Sequence, residues 1–122
     1  MDLIKAHNLD FSYTNSKITH NRTGSEIIFK GFRENGVENV KGMEGFDIVW
    51  VDEAQTLTKR TMDVVIPTIR KPNSEVWFSM NRFVRNDPVY EFCVSRPNCL
   101  HVHIDYFENP FCTKELIDEA NI

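Results

Sequence analysis

Two adjacent carboxylates, Asp52 and Glu53, close an apolar run that begins at Phe46 and continues through Ile48, Val49, Trp50 and Val51. Four of the five residues from Ile48 to Asp52 are β-branched or aromatic, with no Gly or Pro among them, so the run reads as a strand buried on both faces. Ligands of open parallel sheets bind just outside the carboxyl ends of the strands, which is where these two acids fall. Neighbouring side chains at a strand end point in different directions. Asp52 can therefore face a Mg²⁺ ion, usually through water, while Glu53 faces the water that attacks a phosphoryl group. The plainer alternative is that the pair ends a core strand and opens a solvated loop.

Three further groups could do chemistry. The run Glu75-Val76-Trp77-Phe78 leads into Ser79, Met80 and Asn81, and alternation along a strand puts Ser79 and Asn81 on one face. Beside the Asp52 strand, that face could hydrogen-bond a phosphate or the attacking water; the alternative is that both residues satisfy local backbone groups. From Cys99 to Asp105 the pattern alternates again, with His101, His103 and Asp105 on one side and Leu100, Val102 and Ile104 on the other. A His-x-His-x-Asp face could ligate zinc, but the spacing places no fourth ligand, and an outer strand with one polar face gives the same alternation. The three cysteines, Cys93, Cys99 and Cys112, are an odd number at spacings of neither a zinc motif nor a redox pair, and read as reduced thiols.

The elements that must position these groups follow from periodicity. Residues 1–16 carry little pattern and read as a poorly structured terminus or an edge element. Lys17–His20 and Glu26–Lys30 flank a Gly-containing turn, which predicts a β-hairpin. Four glycines punctuate the polar stretch from Gly31 to Gly45, a loop with one helical turn around 37–41. Thr58 is placed to cap a helix whose apolar positions Met62, Val65, Ile66 and Ile69 fall at i, i+3, i+4 and i+7, with a kink or restart at Pro67. Strand, helix and strand in succession is the βαβ grammar of α/β proteins. Asp87 and Pro88 predict a helix start with Asp87 as cap, Cys99–Asp105 a strand, and Thr113 the cap of a last helix.

Composition sets the outer limits. A chain of 122 residues is about one domain long, and its 41% hydrophobic content is ordinary for a water-soluble fold. No apolar run approaches the ~20 residues that cross a bilayer. The opening Met1-Asp2-Leu3-Ile4-Lys5 lacks the basic-then-apolar order of a signal peptide, so cytoplasmic residence is the expectation. A net charge of −4 argues against a broad nucleic-acid footprint. Small basic patches remain at Lys59, Arg60, Arg70 and Lys71, and at Arg82 and Arg85.

Four blocks in order resemble the large terminase subunit of tailed bacteriophages, the ATPase that drives DNA into procapsids: residues 44–55 (EGFDIVWVDEAQ), 66–72 (IPTIRKP), 75–81 (EVWFSMN) and 106–111 (YFENPF). The resemblance implies a partial P-loop NTPase sheet of the RecA/ASCE-like kind, with flanking helices and an N-terminal β-hairpin. It divides a single partial ATPase domain, 1–122, into a terminus (1–16), a hairpin and loop (17–45), and an α/β core (46–122). It implies Asp52 as the Walker B metal residue, Glu53 as the catalytic carboxylate, and Ser79 to Asn81 as the coupling motif that links hydrolysis to subdomain motion. ATP and Mg²⁺ are the implied ligands. Double-stranded DNA, the portal protein and the small terminase subunit are the implied partners, in the host cytoplasm. The chain departs from the family at Arg82, where Pro commonly follows the motif's Asn.

No Gly-x-x-x-x-Gly-Lys-Ser/Thr occurs in the sequence, so the backbone cradle for the β-phosphate is missing from it. The family's Walker A strand and first helix precede the matching region, and its nuclease domain follows. The leading expectation is thus the second half of a terminase ATPase domain, inactive alone. A different class of reading is a non-catalytic module or prophage remnant that self-associates through sheet edges left unpaired without the Walker A strand. A third is a helicase-like fragment, since Asp52-Glu53-Ala54-Gln55 also resembles a DExQ box.

Overall fold

The computed structural model describes residues 2–31, 42–81 and 86–120. The helical turn expected at 37–41 and the Arg82 and Arg85 patch lie outside them.

The expected hairpin forms and gains a third strand. β2 (Lys17–His20) and β3 (Glu26–Ile28) pair antiparallel with Lys17 opposite Ile28, across a turn in which Gly24 takes φ +74°. Residues 2–13 are structured: α1 (Asp2–Ala6) leads to β1 (Phe11–Tyr13), which pairs with β2 as an edge strand. The reading of 1–16 as a poorly structured terminus is corrected here, and its edge-element alternative holds. The reason is local: the free side of β2 offers backbone groups, and the Phe11 ring meets the His20 ring edge-on at 5.0 Å.

The core lies in the second half. β4 (Ile48–Val51) and β5 (Glu75–Phe78) pair in parallel, with Val51 opposite Phe78, and α2 (Lys59–Thr68) is the connection between them. Thr58 caps α2 as expected, its Oγ1 accepting the Thr61 N–H at 3.2 Å. Met62 and Val65 are buried, and Ile66 and Ile69 are packed at the cluster's margin. Pro67 does not restart the helix, which runs through it to Thr68. It removes the N–H that would bond Asp63 O, and the helix ends one residue later, where Thr68 Oγ1 bonds Val64 O at 2.7 Å. α3 (Pro88–Val94) contributes Val89 to the same cluster as Val49, Val51, Met62 and Val65.

Two strand expectations are revised. β4 is not buried on both faces: Val49 and Val51 point into the core while Ile48 and Trp50 are exposed, Trp50 by 65%. α2 and α3 supply residues to the Val49 and Val51 side alone, and nothing among the described residues covers the other. The stretch from Cys99 to Asp105 forms no strand, and Leu100, Val102 and Ile104 all face solvent. A strand needs a neighbour for its backbone groups, and no described strand lies beside this one. It ends in a 3₁₀ turn at Tyr106–Glu108 closed by a capping box from Asp105, before α4 (Lys114–Ala120), whose Leu116 N–H reaches Thr113 Oγ1.

Candidate functional site

β4 and β5 run in the same direction, so their carboxyl ends come side by side and deliver Asp52, Glu53, Ser79 and Asn81 to one rim of the sheet. The rim is stitched by main chain. Ser79 N–H donates to Val51 O at 3.1 Å, and Ala54 N–H returns to Ser79 O at 3.0 Å. After Asp52 the chain turns sharply: Glu53 takes φ 53° and ψ 42°, the left-handed region, before a 3₁₀ turn at Ala54–Thr56. For a non-Gly residue that conformation costs about 1–2 kcal/mol. Thr56 helps hold it, its N–H and Oγ1 both donating to Glu53 O, at 3.0 and 2.8 Å. The completely buried Ala54 anchors the same turn in the core.

This turn separates the two carboxylates, as their adjacency at a strand end requires. Asp52 faces β5: Ser79 Oγ–H donates to Asp52 Oδ1 at 2.6 Å, and Trp50 Nε1–H donates to Ser79 Oγ at 3.0 Å. Indole, hydroxyl and carboxylate form a polarised chain that draws the proton of Ser79 toward the acid. Glu53 has a different partner. Gln55 Nε2 donates to Glu53 Oε2 at 2.5 Å, while Gln55 Oε1 accepts the Asn81 N–H at 3.2 Å. One side-chain amide thereby ties Glu53 to the backbone beyond β5.

The four sequence-predicted site residues thus fall into two hydrogen-bonded sets, Asp52 with Ser79 and, through Gln55, Glu53 with Asn81. Asn81 joins through its main-chain N–H, via Gln55. Two participants were not singled out from sequence, Trp50 and Gln55. In the sequence Trp50 belongs to the apolar strand, and only its outward alternation with Val49 and Val51 signals an N–H placed near β5. Gln55 follows Glu53 by two residues, a spacing that brings side chains together only because of the left-handed turn.

Asp52 and Glu53 are both exposed, so neither pays a desolvation cost for its charge. Ser79 occupies one of the roughly four lone-pair positions of the Asp52 carboxylate, and the rest suit a hard cation. Mg²⁺ characteristically takes one or two protein carboxylates with waters and phosphate oxygens completing its shell, and Asp52 fits such a role. The described residues contain no cluster of three or more His, Cys, Asp or Glu side chains able to hold a metal. The His101, His103 and Asp105 face does not exist as a unit: His101 stands edge-on to the Tyr90 ring at 5.7 Å, and Asp105 caps its 3₁₀ turn. Of the basic patch, Lys71 pairs with Asp47 at 2.5 Å and Arg70 Nε donates to Pro67 O at 2.8 Å.

No helix among the described residues is long and apolar enough to cross a membrane. A family model described as phage terminase large subunit matches residues 2–121. Comparison with curated proteins finds no match.

Proposed function

Since the chain belongs to the phage terminase large-subunit family, we propose that it is the Walker B and coupling half of that family's ATPase core. The observation that carries this reading is the rim network: Ser79 on Asp52, and Gln55 joining Glu53 to Asn81, across two parallel strands. Asp52 would hold Mg²⁺, and Glu53 would orient the attacking water. The cation, when bound, neutralises charge on the transferred phosphoryl group. Ser79 fixes the rotamer of Asp52, and Gln55 fixes that of Glu53. Any shift of Glu53 during hydrolysis is felt at Asn81 through the same amide, which is a route from chemistry to the segment after β5. β4 and β5 are, in this reading, two strands of a larger RecA/ASCE-like sheet.

The open apolar face of the β4 and β5 pair supports an incomplete working unit. Ile48, Trp50 and Trp77 stand exposed on it. In the packaging motor, double-stranded DNA, the portal protein and the small subunit are the partners of this reading, and a phosphate loop completes the site.

Titration of the chain with ATP and Mg²⁺ tests the proposal. Each missing charge-assisted phosphate contact is worth about 1.5–3 kcal/mol, so no saturable binding is expected below the millimolar range; tight binding or steady turnover by the isolated chain overturns it. Mn²⁺ in place of Mg²⁺ should broaden amide signals at 51–55 and 79–81, and D52N should abolish that effect. Broadening centred elsewhere removes Asp52 from the metal role.

The uncovered apolar face favours a second reading, self-association without catalysis. Sedimentation that gives a clean monomer at high concentration counts against it.

A further inference from the structure

The outward face of the β4 and β5 pair carries two indoles side by side. The parallel register sets Ile48 beside Glu75 and Trp50 beside Trp77, and the Trp50 and Trp77 ring centroids lie 6.4 Å apart with their planes tilted by 58°. Rings at that tilt do not cover one another, and both stand open to solvent, Trp50 by 65% and Trp77 by 47%. Their N–H groups are already engaged, Trp50 Nε1 with Ser79 Oγ at 3.0 Å and Trp77 Nε1 with Glu75 Oε2 at 2.8 Å. Those bonds fix both rings and leave their electron-rich π faces as what this surface offers a ligand. The carboxylate beside them lacks a counter-charge. Asp47, just before β4, has Lys71 as its cation, whereas Glu75 pairs with no cation among the described residues. None of the outward positions of the two strands is basic.

We propose that this face is a docking site for an arginine side chain of a partner polypeptide, with the guanidinium over Trp50 and Trp77 and its edge on Glu75. Charge complementarity selects a cation, since two π faces and a carboxylate meet with nothing positive to balance them. Geometry selects arginine among cations. Rings this close can share one cation within the ~6 Å at which a cation–π contact acts. A planar guanidinium stacks there and donates in its own plane to Glu75 Oε1, while Oε2 stays tied to the edge of the Trp77 ring. A lysine ammonium is compact and strongly hydrated and gives up more on leaving water; a quaternary ammonium has no N–H for Glu75.

The surroundings point to a side chain on a longer segment. Ile48, exposed beside Glu75, offers apolar surface to the arginine methylenes. Together with the two indoles it makes a patch wider than one side chain covers, so apolar neighbours of the arginine would complete the contact around it. The site faces outward from mid-strand and requires neither nucleotide nor metal, so its outcome is separate from the Mn²⁺ result at the rim.

The test is titration of the folded, isotope-labelled chain with N-acetyl-arginine amide at constant ionic strength, read at the two indole N–H signals. Saturable shifts of both are expected, about fivefold tighter than with N-acetyl-lysine amide and absent with the neutral isostere N-acetyl-citrulline amide. E75Q should weaken binding about threefold, and W77A, shown folded by circular dichroism and read at Trp50, should abolish it. Lysine or citrulline equal to arginine, E75Q without effect, or shifts centred away from Trp50 and Trp77 would each overturn the assignment. So would indole signals unmoved by arginine in a chain that sediments as a dimer closed over the same face.

Discussion

The contact between Ser79 and Asp52 can be isolated by a double-mutant cycle. In S79A the carboxylate loses a 2.6 Å hydroxyl donor and Trp50 Nε1 loses its acceptor; in D52A the hydroxyl loses its acceptor. A charge-assisted bond of this kind contributes about 1.5–3 kcal/mol when shielded, but Asp52 is exposed and Ser79 half-buried, so water recovers part of it. A net coupling of about 1 kcal/mol remains. Trp50 is solvent-exposed, and its indole re-bonds to water at a cost of about 0.5 kcal/mol or less. The expected pattern is then about 1–1.5 kcal/mol lost in S79A, about 1 in D52A, and little more than the larger single loss in the double variant. Urea denaturation followed by far-ultraviolet circular dichroism measures all three, with equal slopes required across the set. W50F serves as a control that leaves the Ser79 to Asp52 bond in place. If the two losses simply add, within about 0.3 kcal/mol, the two side chains do not interact in solution and the rim described above is not a connected unit.

Other consequences are quicker to check. V65A, at a side chain 2% exposed and central to a small core, should cost about 2–3 kcal/mol in urea denaturation, whereas W77A on the open face should cost less than about 1. T58A removes the α2 cap and should lower stability by about 1 kcal/mol, with T58S restoring most of it. Because the folded-state value of Cys93 is raised from its ordinary 9.0 to about 12 by burial, then by Cys99, its contribution to stability is complete below pH 9 and disappears as pH climbs toward 12. The stability difference between the native chain and C93A should accordingly shift against the native chain across that window. A difference that stays flat from pH 9 to 12 would remove the perturbed thiol.

Much of the site was legible because its placement depends on short-range rules. A β-branched run that stops at two acids, a capped helix with its stripe at i, i+3, i+4 and i+7, and a second apolar run are enough to predict β4, α2 and β5. Parallel pairing then makes the proximity of Asp52 to Ser79 a matter of strand length. What was not legible depends on conformation that no residue type announces. Glu53 adopts a left-handed backbone without glycine, and only that turn lets Gln55 reach both Glu53 and Asn81. The Asp87 cap shows the limit of residue type from the other side. Asp87 occupies the position expected for it, yet its side chain makes no cap bond and is 4% exposed, with Oδ2 unpartnered.

The stretch from Leu100 to Ile104 explains the remaining gap between pattern and structure. Alternation specifies a surface with one apolar side, and such a surface becomes a strand only when a neighbour accepts its backbone hydrogen bonds. β4 finds that neighbour in β5, twenty-odd residues on; 100–104 finds none among the described residues, and Leu100 stands 89% exposed. The same deficit appears on the outer face of β4, where a run with the composition of a doubly buried strand carries Trp50 into solvent. Both failures have one physical cause, since in each the sequence encodes a contact whose second half is not among the described residues. In the reading proposed above, the second halves of both contacts belong to further strands of the same sheet. Supplying a partner that covers Trp50 should therefore blue-shift its emission and order 100–104 together. Burial of one without protection of the other's amides from hydrogen exchange would show that the two deficits are unrelated.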